Sequence, residues 1–141
     1  MLASLLPPVT VSGYSVPVVA VVAYGTAVGV CIDLDHFLIA RAKTGGWDAV
    51  RFCLANPGAA VADQSRIFEP GDVGVLSRLT SHVVIAGVVV PALALVSVPL
   101  AILTGAVLYA HLLADLLWDI YLLPEHAEAA DSIDDLARML G

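Results

Sequence analysis

Positive charge is scarce in this chain: six Lys and Arg stand against 13 Asp and Glu in 141 residues, for a formal charge of -7. That balance argues against a nucleic-acid partner, since neutralising phosphates requires a basic footprint. Lys43 is the single lysine, and ten of the 13 acids are Asp. An acidic, lysine-poor polar surface suits a protein bathed in concentrated salt, so a halophilic archaeon is the expected source. The first 40 residues hold neither Lys nor Arg, which leaves no positive n-region and argues against a cleavable signal peptide. Cysteine is rarer still. Cys31 and Cys53, 22 residues apart, make no disulfide framework and read as two buried thiols. A Gly-x-Ser-x-Gly elbow is missing too, which counts against a Ser/His/Asp hydrolase.

Apolar residues fill the space that charge leaves. The chain is 60% hydrophobic and 13% charged, where soluble domains average about half and about a quarter. The expected class is therefore all-α: a single-domain integral membrane helical bundle over residues 1–141, multi-pass in the cytoplasmic membrane. One apolar segment runs from about Val16 to Ile32 and continues through an Asp/His cluster to Ala40. Another, Val83 to Ala110, carries no charge over 28 residues. As one helix it would be about 42 Å long, more than the roughly 30 Å hydrocarbon core requires, so it must either overshoot or fold back, and Ser97 with Pro99 supplies a turn for the second. Spans are predicted at about 14–40, 79–97 and 99–123, the last ended by Pro124, with Pro91 kinking the second.

Five of the six basic residues, Arg41, Lys43, Arg51, Arg66 and Arg78, lie in segment 41–78, and the positive-inside rule places this segment in the cytoplasm. Gly45-Gly46, Asn56-Pro57-Gly58 and Pro70-Gly71 are its turn signals. Trp47, Val50 and Leu54 recur at helical spacing and predict a short amphipathic helix at the membrane surface. With this segment inside, the N-terminus lies outside and the tail, 124–141, in the cytoplasm. In that tail Ser132 caps a helix with Asp135 three residues on, while Ile133, Leu136, Ala137 and Leu140 form one stripe that closes the bundle.

Counting inward from the outer ends, Asp33 falls about 17 residues below Val16, His82 about 15 beyond Ser97, His111 about 12 and Asp115 about 16 below Pro99. At about 1.5 Å per residue, these groups lie at a common depth of roughly 18 to 26 Å, near the cytoplasmic boundary. His111, Asp115 and Asp119 follow one another at i, i+4 and i+8 and share a helix face. Imidazole and carboxylate one turn apart can grip a divalent ion, and ionisable groups inside a span tend to mark such sites. Asp33 and His36 are i, i+3 neighbours; Asp35 shares a side with Asp33 only if the backbone loosens. The expected ligand set is Asp33, His36, His82, His111 and Asp115, holding zinc by its His/Asp character, or manganese. Asp35 is a further ligand or an orienting group, and Asp35 or Asp119 would take a proton from an activated water. Arg78 either pairs with an acid of the site or snorkels to headgroups. Trp47, Trp118 and Tyr121 read as interfacial anchors, and His126 has no expected role.

At these residues the chain resembles a family of small inner-membrane proteins named as membrane-bound metal-dependent hydrolases, the group that contains the LexA-binding inner-membrane protein. That family carries Asp-x-Asp-His at the end of its first hydrophobic segment, His-Arg-Gly-x-Thr-His at the start of a later helix, and a His-x3-Asp pair further on. Asp33 to His36 match the first element, and His111 with Asp115 the third. In the middle one, Ser77 to His82, Arg78 and His82 are kept, while Ser77 and Leu79 replace the family's first His and its Gly. The resemblance implies a metal-dependent hydrolase, and the site's depth near the membrane boundary would suit a lipid headgroup or another amphiphilic ester or phosphoester as substrate. Two rivals stand beside it: a non-catalytic membrane protein whose His/Asp layer glues helices or recruits a partner, and a cation or proton pathway, which the apolar outer two-thirds of each span disfavour. The bilayer is the implied partner, and three spans leave room for a homo-oligomer.

Overall fold

The structure, a computed structural model, describes residues 10–11, 13–58, 66–69, 71–129 and 132–141. The start of the chain, Pro70 of the predicted Pro70-Gly71 turn and Asp131 lie outside these residues, as do the side chains of Glu125, His126, Glu128 and Arg138. A two-residue hairpin comes first: β1 (Thr10–Val11) and β2 (Tyr14–Ser15) pair antiparallel, turned at Gly13 with φ of 83°. Among the described residues six α-helices follow: α1 Val18–Cys31, α2 Asp35–Thr44, α3 Asp48–Ala55, α4 Val75–Ala94, α5 Val98–Ala129 and α6 Ile133–Leu140. A 3-10 turn, Ile32–Leu34, joins α1 to α2.

Val18–Thr44, Val75–Ala94 and Val98–Pro124 are long and apolar enough to cross a membrane. The distribution of burial agrees. Val19, Val22, Val88, Leu95 and Ile102 are among many large apolar side chains exposed on the helices, whereas His82 and Thr104 are the most fully buried. A soluble domain shows the reverse order.

The helix ends differ from the predicted spans for local reasons. The first continues to Thr44 because Arg41 and Lys43 complement the negative end of its dipole. It stops at Gly45, φ 77°, whose N–H bonds the Arg41 carbonyl at 3.0 Å. The second starts at Val75 rather than 79: Arg78 N–H bonds the Gly74 carbonyl at 3.0 Å, and polar residues that depress local hydropathy find partners within the first turns. The turn between α4 and α5 falls at 95–97, where Val96 and Ser97 N–H groups share the Leu93 carbonyl and Ser97 Oγ accepts from Leu100 N–H at 3.4 Å. Pro91 is accommodated within α4 and Pro124 within α5. Pro124, expected to end the third helix, costs it one backbone donor but does not stop it before Ala129.

The chain divides into two compact units, residues 1–33 with 82–114 and residues 34–81 with 115–141. In the first, Gly25 and Gly29 bring α1 close to α5: a Cβ on Gly25 would stand 3.4 Å from Val107 Cγ2, and one on Gly29 3.8 Å from Val107 Cγ1. Small residues allow this approach, which in lipid is a main source of helix association. Beside them Tyr24 Oη lies 2.7 Å from Thr104 Oγ1, and Thr104 donates to the Leu100 carbonyl at 2.8 Å.

In the second unit the amphipathic α3 begins one residue after Trp47, which serves as its N-cap and carries the Arg41 guanidinium 5.6 Å from its ring centre. Ser132 caps α6 as predicted, accepting from Asp135 N–H at 3.1 Å. Within the predicted stripe Leu136 and Leu140 are half-buried, but Ile133 is exposed. The cysteines are free, and Cys31 is exposed while Cys53 is only half-buried, so the reading of two buried thiols fails. On an apolar span an exposed thiol replaces a methyl group at little cost.

Candidate metal centre

Three helical segments deliver the groups of the first unit. Asp33 sits in the 3-10 turn, His82 on α4 and His111 on α5. Asp33 Oδ1 stands 3.0 Å from His111 Nε2 and 3.7 Å from His82 Nε2. The two imidazole rings meet edge to face with centres 5.3 Å apart. All three residues offer a ligand atom within 4.8 Å of one another. His82 is 1% exposed and His111 19%, while the Asp33 side chain keeps 43%. Ligand atoms around tetrahedral zinc, bonded at about 2.0–2.2 Å, stand about 3.3–3.5 Å from each other. The observed 3.0 and 3.7 Å bracket that value, so the donor set fits a divalent ion with little movement.

Asp115 follows His111 by one turn on the same unbroken helix. In the second unit its Oδ2 lies 3.9 Å from Arg78 Nε, and Arg78 Nη2 donates to both oxygens of Asp119 at 2.6 Å. Arg78 thus pairs with acids rather than snorkelling. Asp119 is 10% exposed, while the neighbouring Trp118 and Tyr121 rings are exposed and 5.7 Å apart. Asp35 is buried and accepts a hydrogen bond from Ser81. His36 Nε2 is 3.6 Å from Asp35 Oδ1, and its ring meets Phe68 edge-on at 6.1 Å. Ser77, where the motif would have a histidine, donates to the Gly141 carbonyl.

The sequence therefore anticipated Asp33, His82 and His111 as one cluster, and the structure places Asp35 and His36 together in the second unit. Ser81 was missed as the partner of Asp35, and Tyr24 with Thr104 as a buried polar pair. Ser81 precedes His82 directly; a polar residue in a helix turn beside a buried acid was the available signal. The same unit holds a cavity of about 390 Å³ lined by Phe37, Trp47, Phe52 and Ile67 on its apolar part and by Arg66 and Glu69 on its polar part. Compared with models of protein families, with curated proteins and with solved structures, the chain matches none of them.

Proposed function

We propose that the chain is a membrane-embedded metal-dependent hydrolase that holds zinc, or manganese, through Asp33, His82 and His111, with Asp115 as the fourth donor. The observation that carries this reading is the convergence of two imidazole Nε2 atoms on one carboxylate oxygen, from three apolar helices. Placing such groups in lipid costs several kcal/mol unless they are paired or bound. Asp115 earns its place from the i, i+4 spacing to His111 on α5. A bound ion would polarise an ester or phosphoester and acidify a water. Asp35 is then the proton acceptor rather than Asp119, because both Asp119 oxygens already accept from the Arg78 guanidinium, whereas Asp35 accepts from the Ser81 hydroxyl. An amphiphile as substrate is supported by the apolar helices that carry the cluster. These motifs also support membership of the membrane-bound metal-dependent hydrolase group. Protein purified in detergent should contain stoichiometric zinc or manganese by elemental analysis, and a His111→Ala, Asp115→Ala double variant should not. A metal-free, equally stable wild type would instead favour the His/Asp layer as interhelical glue.

The orientation proposed is N-terminus outside and 41–78 cytoplasmic, since Arg41, Lys43 and Arg78 flank the ends of the first two spans. In a Cys31→Ala background, Cys53 should react with a membrane-impermeant maleimide in inside-out vesicles and stay unmodified in right-side-out ones. Labelling from the outer face would reverse the topology.

A further inference from the structure

The cavity of about 390 Å³ in the second unit shares no residue with the metal cluster. Helices α2 and α3 and the turn between them give it an aromatic wall, Phe37, Trp47 and Phe52, while segment 66–72 gives it a charged one, Arg66, Glu69 and Asp72. Its volume lies within the range of small-molecule sites, about 300–1,000 Å³. Two of the three rings already carry a cation. The Arg66 guanidinium stands 5.8 Å from the centre of the Phe52 ring, and that of Arg41, which does not line the cavity, 5.6 Å from the Trp47 ring. An aromatic face is the negative end of a quadrupole, so such a wall selects the sign of the charge it meets.

The carboxylates select the same sign. Among the described residues three acids, Asp48, Glu69 and Asp72, line the cavity with one cation, Arg66. Asp48 pairs with Arg51 at 3.4 Å, which leaves two acids and one guanidinium on the charged wall, an excess of one negative charge. Asp72 Oδ2 accepts from the Glu69 N–H at 3.1 Å, so one turn presents both acids. We propose that the cavity is a binding site for a monovalent organic cation, an amine or quaternary ammonium with a short hydrocarbon part. Its charge is held between the Phe52 ring and the carboxylates of Glu69 and Asp72, and its carbon part lies against Phe37 and Trp47. Arg66 shares that ring and competes with the ligand. Removing the Arg66 charge therefore tightens binding, the reverse of what losing a structural residue does.

Trp47 reports on the site. In a Trp118→Phe chain purified in detergent it is the single tryptophan, and Trp118 is exposed, so its replacement disturbs little. At low salt the Trp47 fluorescence should titrate with butylammonium at about 10-fold lower concentration than with butanol, and more weakly still with butyrate. Arg66→Gln should tighten butylammonium about 3–10-fold, and Glu69→Gln should weaken it by a similar factor. Butylammonium that produces no titration, or binds no better than butanol, overturns the proposal. So does an Arg66→Gln chain of unchanged circular dichroism that fails to bind more tightly, or a Glu69→Gln chain that binds as the parent does. The comparison of the three ligands needs no substitution in the cavity and decides the question where a cavity variant misfolds. Metal content plays no part in any of these readings, so the hydrolase proposal and this one fail separately.

Discussion

Arg78→Ala should be the most destabilising single substitution, costing about 3–5 kcal/mol, the range for breaking one partner out of a buried ion pair. The guanidinium is 22% exposed, and it faces Asp119 at 2.6 Å and Asp115 at 3.9 Å. Without it two carboxylates remain on adjacent turns of α5 with no cation between them, in a span where a lone charge is costly. For a chain of this length the loss corresponds to a fall in Tm of about 10 °C or more, readable by thermal unfolding in detergent. The penalty belongs to the stranded acids rather than to the lost contact. Arg78→Met combined with Asp119→Leu should therefore recover most of it, because a packed apolar pair can replace a buried ion pair at little cost. If Arg78→Ala melts with the wild type, the pair is solvated and the buried-charge argument fails.

His82→Ala should have the largest effect on metal retention. Structural zinc held by four donors binds with roughly 10–16 kcal/mol, so one donor carries about 3–4 kcal/mol, or about a 10²–10³-fold change in affinity. His82 is the donor least able to be replaced, because at 1% exposure its position is closed to water that might fill the vacancy. Chelator competition would read the loss, with His126→Ala as the control expected to retain the ion, since its place among tail acids gave it no role. Retention of full affinity in His82→Ala would remove the second helix from the site.

The contrast between these two predictions shows what the sequence carried. Axial position was legible: residue counting at a fixed rise put Asp33, His82 and His111 at one depth, and these three ligand atoms lie within 4.8 Å of one another. Three long helices were legible as well, from runs whose length and apolarity admit little else. Rotation about each helix axis was not. The 3-10 turn Ile32–Leu34 winds at about three residues per turn instead of 3.6, so the phase of everything after it shifts by about 60°. Asp35 and His36 lie beyond that shift, which is why their partners, Ser81 and Phe68, were not found by spacing. Polar residues also misled the choice of boundaries. Ser77, Arg78 and Ser81 lower the apparent hydropathy of a helix that nonetheless begins at Val75, because their hydrogen bonds go to Gly141, Asp119 and Asp35. The hairpin at Thr10–Ser15 rests on four paired residues and one glycine, too little to stand out beside long apolar runs.

The Tyr24 and Thr104 pair has a consequence for proton movement between the helices that carry it. Thr104 donates to the Leu100 carbonyl, so the phenol donates to Thr104, and the relay ends on a peptide oxygen already inside a helix. A proton handed along it has nowhere to go. With Val107 seated against Gly25 and Gly29 on the same stretch, the pair is a closed polar contact between α1 and α5, which fastens the two helices rather than offering a route for charge.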